Sequence, residues 1–174
     1  MSGAPRKEIP RPKGDDDFED LTLALFRVVW QDPSAKLHGR RGQRQHGVDL
    51  YGEGPIGVQC KQHGSGTLLR DEDVLAELRE EVGKAKGFQP PLQRFIFATT
   101  SRRSATLQSA ARDLTELHER DGLFAVDVLG WEDFEDLLRR HEDVLGWYLS
   151  ERPTTPVRLD IGRLPIAGPL LTNR

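Results

Sequence analysis

The chain has 174 residues, 36% hydrophobic and 30% charged, enough for one substantial core and hardly enough for two. A formal charge of -3 and a pI near 6.0 exclude a global cationic footprint, so any contact with a polyanion must come from a local patch. A single cysteine, Cys60, excludes an internal disulfide and suits a reducing, cytoplasmic compartment, and no apolar run or leader-like start argues for membrane insertion or secretion.

Residues 1–14 mix Pro, Gly, Arg and Lys with almost nothing apolar, which predicts a flexible tail. From Asp17 onward Phe18, Leu21, Leu25, Phe26 and Val29 recur at helical spacing, with Asp15, Asp16 and Asp17 at the positive end, so a first helix is expected. Three short strands follow Asp32-Pro33, at about 36–40, 48–51 and 56–61, separated by Gly-rich turns that make a meander. Leu68 to Lys86 reads as an amphipathic helix stopped by Gly87, Arg94 to Thr99 as a central strand, and Ser104 to Arg120 as a third helix. Leu123 to Leu129 is expected to be a strand and Trp131 to Arg140 a final helix, with Trp30, Trp131 and Trp147 as packing anchors. The predicted fold class is α/β: an αβββαβ core with a central mixed sheet flanked by helices, then a further strand and helix, all in one domain over residues 15–150. Pro153, Pro156, Pro165 and Pro169 mark residues 151–174 as a Pro-rich linker or C-terminal arm.

The chemistry-bearing stretch is GVDLYGEGPIGVQCKQH, residues 47–63. Strand alternation sends Gln59 and Lys61 to one face and Val58 and Cys60 to the other. The short turn at 52–55 makes a hairpin that brings Asp49 near Gln59, in a register the sequence leaves open. Just upstream, Arg40, Arg41, Arg44 and His46 form a cationic loop, and His63 follows Lys61; such a cluster suits phosphate neutralisation, with Gly39, Gly42 and Gly47 permitting close approach. Singly, Asp49 is an ordinary turn former, Lys61 an edge charge and Glu19 a first-turn carboxylate; their order along the predicted elements favours a shared site. No nucleophile elbow, Walker loop or dinucleotide glycine pattern occurs, and Cys60 lacks a thiolate-stabilising motif.

Glu19 on the first helix, Asp49 in the second strand and Gln59-x-Lys61 in the third, followed by FIFATT and FAVDVLGWEDFEDLL, resemble the PD-(D/E)xK nuclease superfamily, in its Mrr-like restriction endonuclease form, over most of Phe18 to Arg140. The resemblance implies a Mg²⁺-dependent endonuclease that hydrolyses DNA phosphodiester bonds, with Mn²⁺ able to substitute. It assigns Asp49, Glu19 and Gln59 to the metal, and Lys61 to the attacking water and the developing charge. Gln59 stands where the family usually has Asp or Glu, which predicts weaker metal affinity; some Mrr-like members carry this same form, and Glu77, Glu80 and Glu81 on the next helix are available to compensate. The family further implies a dimer or larger homo-oligomer and a role as the effector of a restriction or antiphage defence protein. The Pro-rich end resembles the approach to a C-terminal ATPase or sensor module. Two rival readings stand beside it: a catalytically inactive nuclease-like module that binds nucleic acid or a partner domain, and a phosphate-linked signalling or NAD-cleaving effector.

Overall fold

The first amphipathic pattern becomes α1 (Asp15–Val29), opened by three carboxylates at its positive end and burying Phe18, Leu21, Leu25 and Phe26. The computed structural model describes residues 5–39, 43, 46–64 and 69–150. After α1 come β1 (Lys36–Leu37), β2 (Leu50–Gly52), β3 (Ile56–Lys61), α2 (Asp71–Ala85), β4 (Arg94–Thr99), α3 (Ala105–Arg120), β5 (Ala125–Leu129), α4 (Trp131–Arg140) and α5 (Glu142–Ser150).

The five strands form one mixed sheet in the order β1-β2-β3-β4-β5. β1, β2 and β3 are antiparallel neighbours, with Leu50 opposite Val58, whereas β3, β4 and β5 run parallel, with Lys61 beside Thr99. Two successive parallel steps in the same direction, each made by a right-handed crossover, must put their helices on one face of the sheet. Accordingly α2 and α3 share a core with Phe95, Phe97, Val126 and Val128, while α1, α4 and α5 pack on the other face against Leu50, Val58, Cys60, Ile96 and Ala98. β4 feeds both cores alternately, which is why RFIFAT reads as an unbroken apolar run.

Two expectations need correction. The chain does not end its helices at Arg140: α5 follows at once and buries Val144, Trp147 and Tyr148, a pattern that Gly146 in its middle hides from propensity. Residues 5–14, expected to be a tail, lie against the domain, with Ile9 only 5% exposed. Two of their carbonyls are satisfied by aromatic donors, Trp131 Nε1–H to Ile9 O (3.2 Å) and Tyr148 O–H to Pro10 O, and with Ile9 N–H donating to Glu135 and Gln62 to Pro12 O they dock a segment whose composition predicted no docking. The apolar face of α4 is spent in the same core, Trp131, Phe134 and Leu138 being fully buried. Residues 151–174 lie outside the described residues, and no helix among those described is long and apolar enough to cross a membrane.

Candidate active site

Asp49 stands one residue before β2, and its surroundings depart from a regular ladder. With Leu50 opposite Val58, an undistorted antiparallel pair would set the Asp49 amide against Gln59. Instead Asp49 N–H donates to Val58 O (2.8 Å), and Cys60 N–H donates to Asp49 Oδ2 (2.8 Å). The carboxylate thus takes a bond that the ladder would otherwise take, a bulge-like offset that fixes it at the end of the sheet. Asp49 is 5% exposed. Burial pushes its carboxyl up to about 6; the Cys60 amide and the Lys61 charge oppose this, and the Glu81 and Asp15 charges add to it.

Lys61 reaches across to α2, where its Nζ lies 2.9 Å from Glu81 Oε1, and the Glu81 side chain is only 4% exposed. Two residues further, His63 Nε2 lies 2.9 Å from Glu77 Oε2. The pairing is geometric: two residues of extended chain advance about 6.6 Å and four residues of helix about 6 Å, so a helix antiparallel to the strand matches Lys61 with Glu81 and His63 with Glu77. Lys84 Nζ is a second cation on Glu81 Oε1, at 3.3 Å. Of the three helix carboxylates named from the sequence, Glu81 is therefore the one that joins the Lys61 site, Glu77 serves His63, and Glu80 pairs outward with Lys84.

The other predicted residues come from several elements. Gln59 is buried on the α2 side of β3, two residues before Lys61 and beside Phe97 of β4. Glu19 belongs to α1, which covers the Val58 and Cys60 face, and its charge acts with Asp15 on the Cys60 thiol, which burial pushes far up. Asp15 is an α1 carboxylate whose charge acts on Asp49, a residue the sequence explained fully as a helix-dipole partner. His46 lies past the C-terminal end of α2, its Nδ1 3.2 Å from where a Cβ on Gly87 would stand, whereas His63 meets Glu77 in the middle of that helix. Arg40, Arg41 and Arg44 lie outside the described residues. Gly47, expected to let the loop approach a ligand, lets it approach the protein's own helix: at φ +68° its missing Cβ would stand 2.7 Å from Glu81 O. Glycine at 47 thereby clamps the Asp49 turn onto the helix that holds Glu81.

A divalent ion fits this donor set through its chemistry. Asp49 is a buried carboxylate disfavoured in its charged form, the Lys61 charge opposing this and the Glu81 and Asp15 charges adding to it, so a bound cation would favour its charged form; Gln59 offers a neutral oxygen from β3. Among the described residues, no group of three or more His, Cys, Asp or Glu gathers as a ready-made cage. An ion here would keep several waters, as Mg²⁺ commonly does. Comparison with protein-family models, with curated proteins and with solved structures returns no match.

Proposed function

We propose that this domain is a metal-dependent endonuclease that hydrolyses DNA phosphodiester bonds, built on a restriction-endonuclease-like αβββαβ core, and that it serves as an effector in restriction or antiphage defence. The observation that carries the reading is the Asp49 carboxylate, raised to about 6 by burial and bonded to the Cys60 amide, next in sequence to Lys61, whose ammonium is paired with Glu81 of α2. A buried carboxylate whose pKa is raised by desolvation beside a specific charge partner marks a candidate reactive site. Asp49 and Gln59 would hold Mg²⁺ or Mn²⁺, which when bound supplies an acidified water and neutralises phosphate charge. Lys61, 31% exposed, has its ammonium positioned by Glu81; it offers a donor to the attacking water and a positive charge to the phosphate oxygens. Cys60 contributes its amide rather than its thiol, orienting Asp49. Arg40, Arg41, Arg44, His46 and His63 would engage backbone phosphates. A dimer would supply the two centres that double-strand cleavage needs, and residues 151–174 would lead to an ATPase or sensor module.

The full chain is incubated with supercoiled plasmid in Mg²⁺, Mn²⁺ or chelator. Nicking or linearisation that requires metal, and that falls about 100-fold or more in Asp49→Ala and in Lys61→Ala, is the expected result. Cleavage that survives both substitutions would refute the assignment. A second reading, a module that binds nucleic acid without cutting it, is favoured by the absence of a three-ligand cage among the described residues and by the neutral Gln59. Plasmid retention without metal-dependent nicking, unchanged by either substitution, would establish it.

A further inference from the structure

Outside the Asp49 and Lys61 centre, the ends of β3 and β4 open into a cavity of about 310 Å³ whose described lining includes Arg11, His63, Asp71, Thr100, Ser101 and Arg102. It lies outside the carboxyl ends of two parallel strands, the usual place for a ligand in an open α/β sheet, and its volume is that of a small-molecule site.

We propose that this cavity binds a terminal phosphate monoester, at the end of a nucleic-acid strand or on a free nucleotide. Two guanidiniums supply the charge. Arg11 is held in place, its Nε–H donating to Thr100 O (2.9 Å) while its guanidinium sits 5.9 Å over the Trp131 ring and its Nη1 lies 3.6 Å from the exposed Glu8, a solvated partner that a phosphate would have to displace. Arg102 is exposed and has no ion pair among the described residues. Asp71, the one carboxylate among the described lining residues, accepts the Ser104 hydroxyl (2.7 Å) and keeps its charge, so two guanidiniums stand against one carboxylate in the lining.

A hydroxyl completes the set. Ser101 Oγ lies 2.6 Å from His63 Nδ1, and the ring is fixed from its far side by Glu77 and through its own main chain, where His63 N–H donates to Thr100 Oγ1 (2.8 Å). Thr99 Oγ1 stands 3.1 Å from the same Nδ1. Ser101 is therefore free to rotate its hydroxyl hydrogen from the ring to an incoming phosphate oxygen, with Thr99 donating to Nδ1 in its place. A monoester, with up to two charges and one chain exit, matches two arginines at the end of a cleft better than an internal diester, with one charge and two exits. The nucleic-acid ligand rests on the reading above, whereas the site itself requires no cleavage.

The test uses the full chain in chelator, so that nothing is cut. Fluorescence anisotropy compares labelled single-stranded oligonucleotides of one sequence ending in 5′-phosphate, 3′-phosphate or hydroxyl, with AMP as competitor. One phosphorylated end should bind about tenfold or more tightly than the hydroxyl end. Ser101→Ala and Arg102→Ala, both at the cavity wall and not in the core, should abolish that preference while thermal unfolding stays near wild type. Asp49→Ala and Lys61→Ala should retain it. Displacement by AMP would assign the pocket to a free nucleotide, and preference without displacement to a strand end. Equal affinity for all three ends, or a preference that persists in both cavity variants, would overturn the proposal. Loss of cleavage alone would bear on the endonuclease reading and leave this one standing.

Discussion

The two faces of β3 show how one strand serves two purposes. On one side Val58 and Cys60 enter the largely apolar core of α1, α4 and α5, where Phe18 packs on Phe134 with ring centroids 5.1 Å apart. On the other, Gln59 and Lys61 face α2, and Glu81 is buried to meet the lysine. The first face stabilises the fold through area removed from water; the second places charge where water is scarce, a condition that costs stability and gives reactivity.

The sharpest way to break that contrast is on the apolar face. Phe18→Ala removes a fully buried ring and should destabilise by about 4 kcal/mol in chemical denaturation. A loss below about 1 kcal/mol would mean that α1 is not the cover of the Val58 and Cys60 face.

On the polar face the sign reverses. Asp49 is raised from 3.8 to about 6, so the folded state holds its proton more tightly than the unfolded one. The stability this gives is full below the unfolded pKa and is lost as pH rises through about 6. Asp49→Asn, which keeps an oxygen for the Cys60 amide, should therefore match wild type near pH 4 and exceed it by as much as about 3 kcal/mol at neutral pH, at 1.36 kcal/mol per pKa unit. A flat difference between the two proteins across that range would show that Asp49 is not held against its charge.

The contrast also marks what was legible in the sequence. Apolar periodicity has one cause, burial, and it revealed α1 through α4 and the alternating feed of β4 into two cores. It failed where burial was arranged by few residues: Ile9 and the α5 stripe around Gly146 owe their places to Trp131 and Tyr148, which approach only after the chain has folded. At the polar site the strand period carried Gln59 and Lys61 correctly to one face. The partner on α2 was narrowed only to Glu77, Glu80 or Glu81, because choosing among them requires the phase of the helix over the strand. Glu19 and Asp15 were indistinguishable by type, since both are carboxylates in the first turns of α1. The role of Gly47 had no sequence signal beyond glycine itself, because its reason is Glu81 O, 34 residues away in number and 2.7 Å from the missing Cβ.

The smallest effect tests whether the two halves of the polar site share one field. Glu81→Gln keeps the shape and an acceptor for Lys61 and Lys84 but removes the charge, and because both lysines are partly solvated the cost should be about 1 kcal/mol. That cost should depend on pH. Glu81 raises the Asp49 pKa, so the variant should lower it. Near pH 5 the wild-type Asp49 is mostly protonated and the substitution forfeits only attraction to the lysines. Near pH 8 Asp49 is charged, the substitution also relieves a repulsion, and the net destabilisation should shrink. Denaturation at the two pH values measures the difference directly. An equal penalty at both would separate Glu81 from Asp49 electrostatically, and with it the claim that α2 and the Asp49 turn, clamped together at Gly47, form a single site.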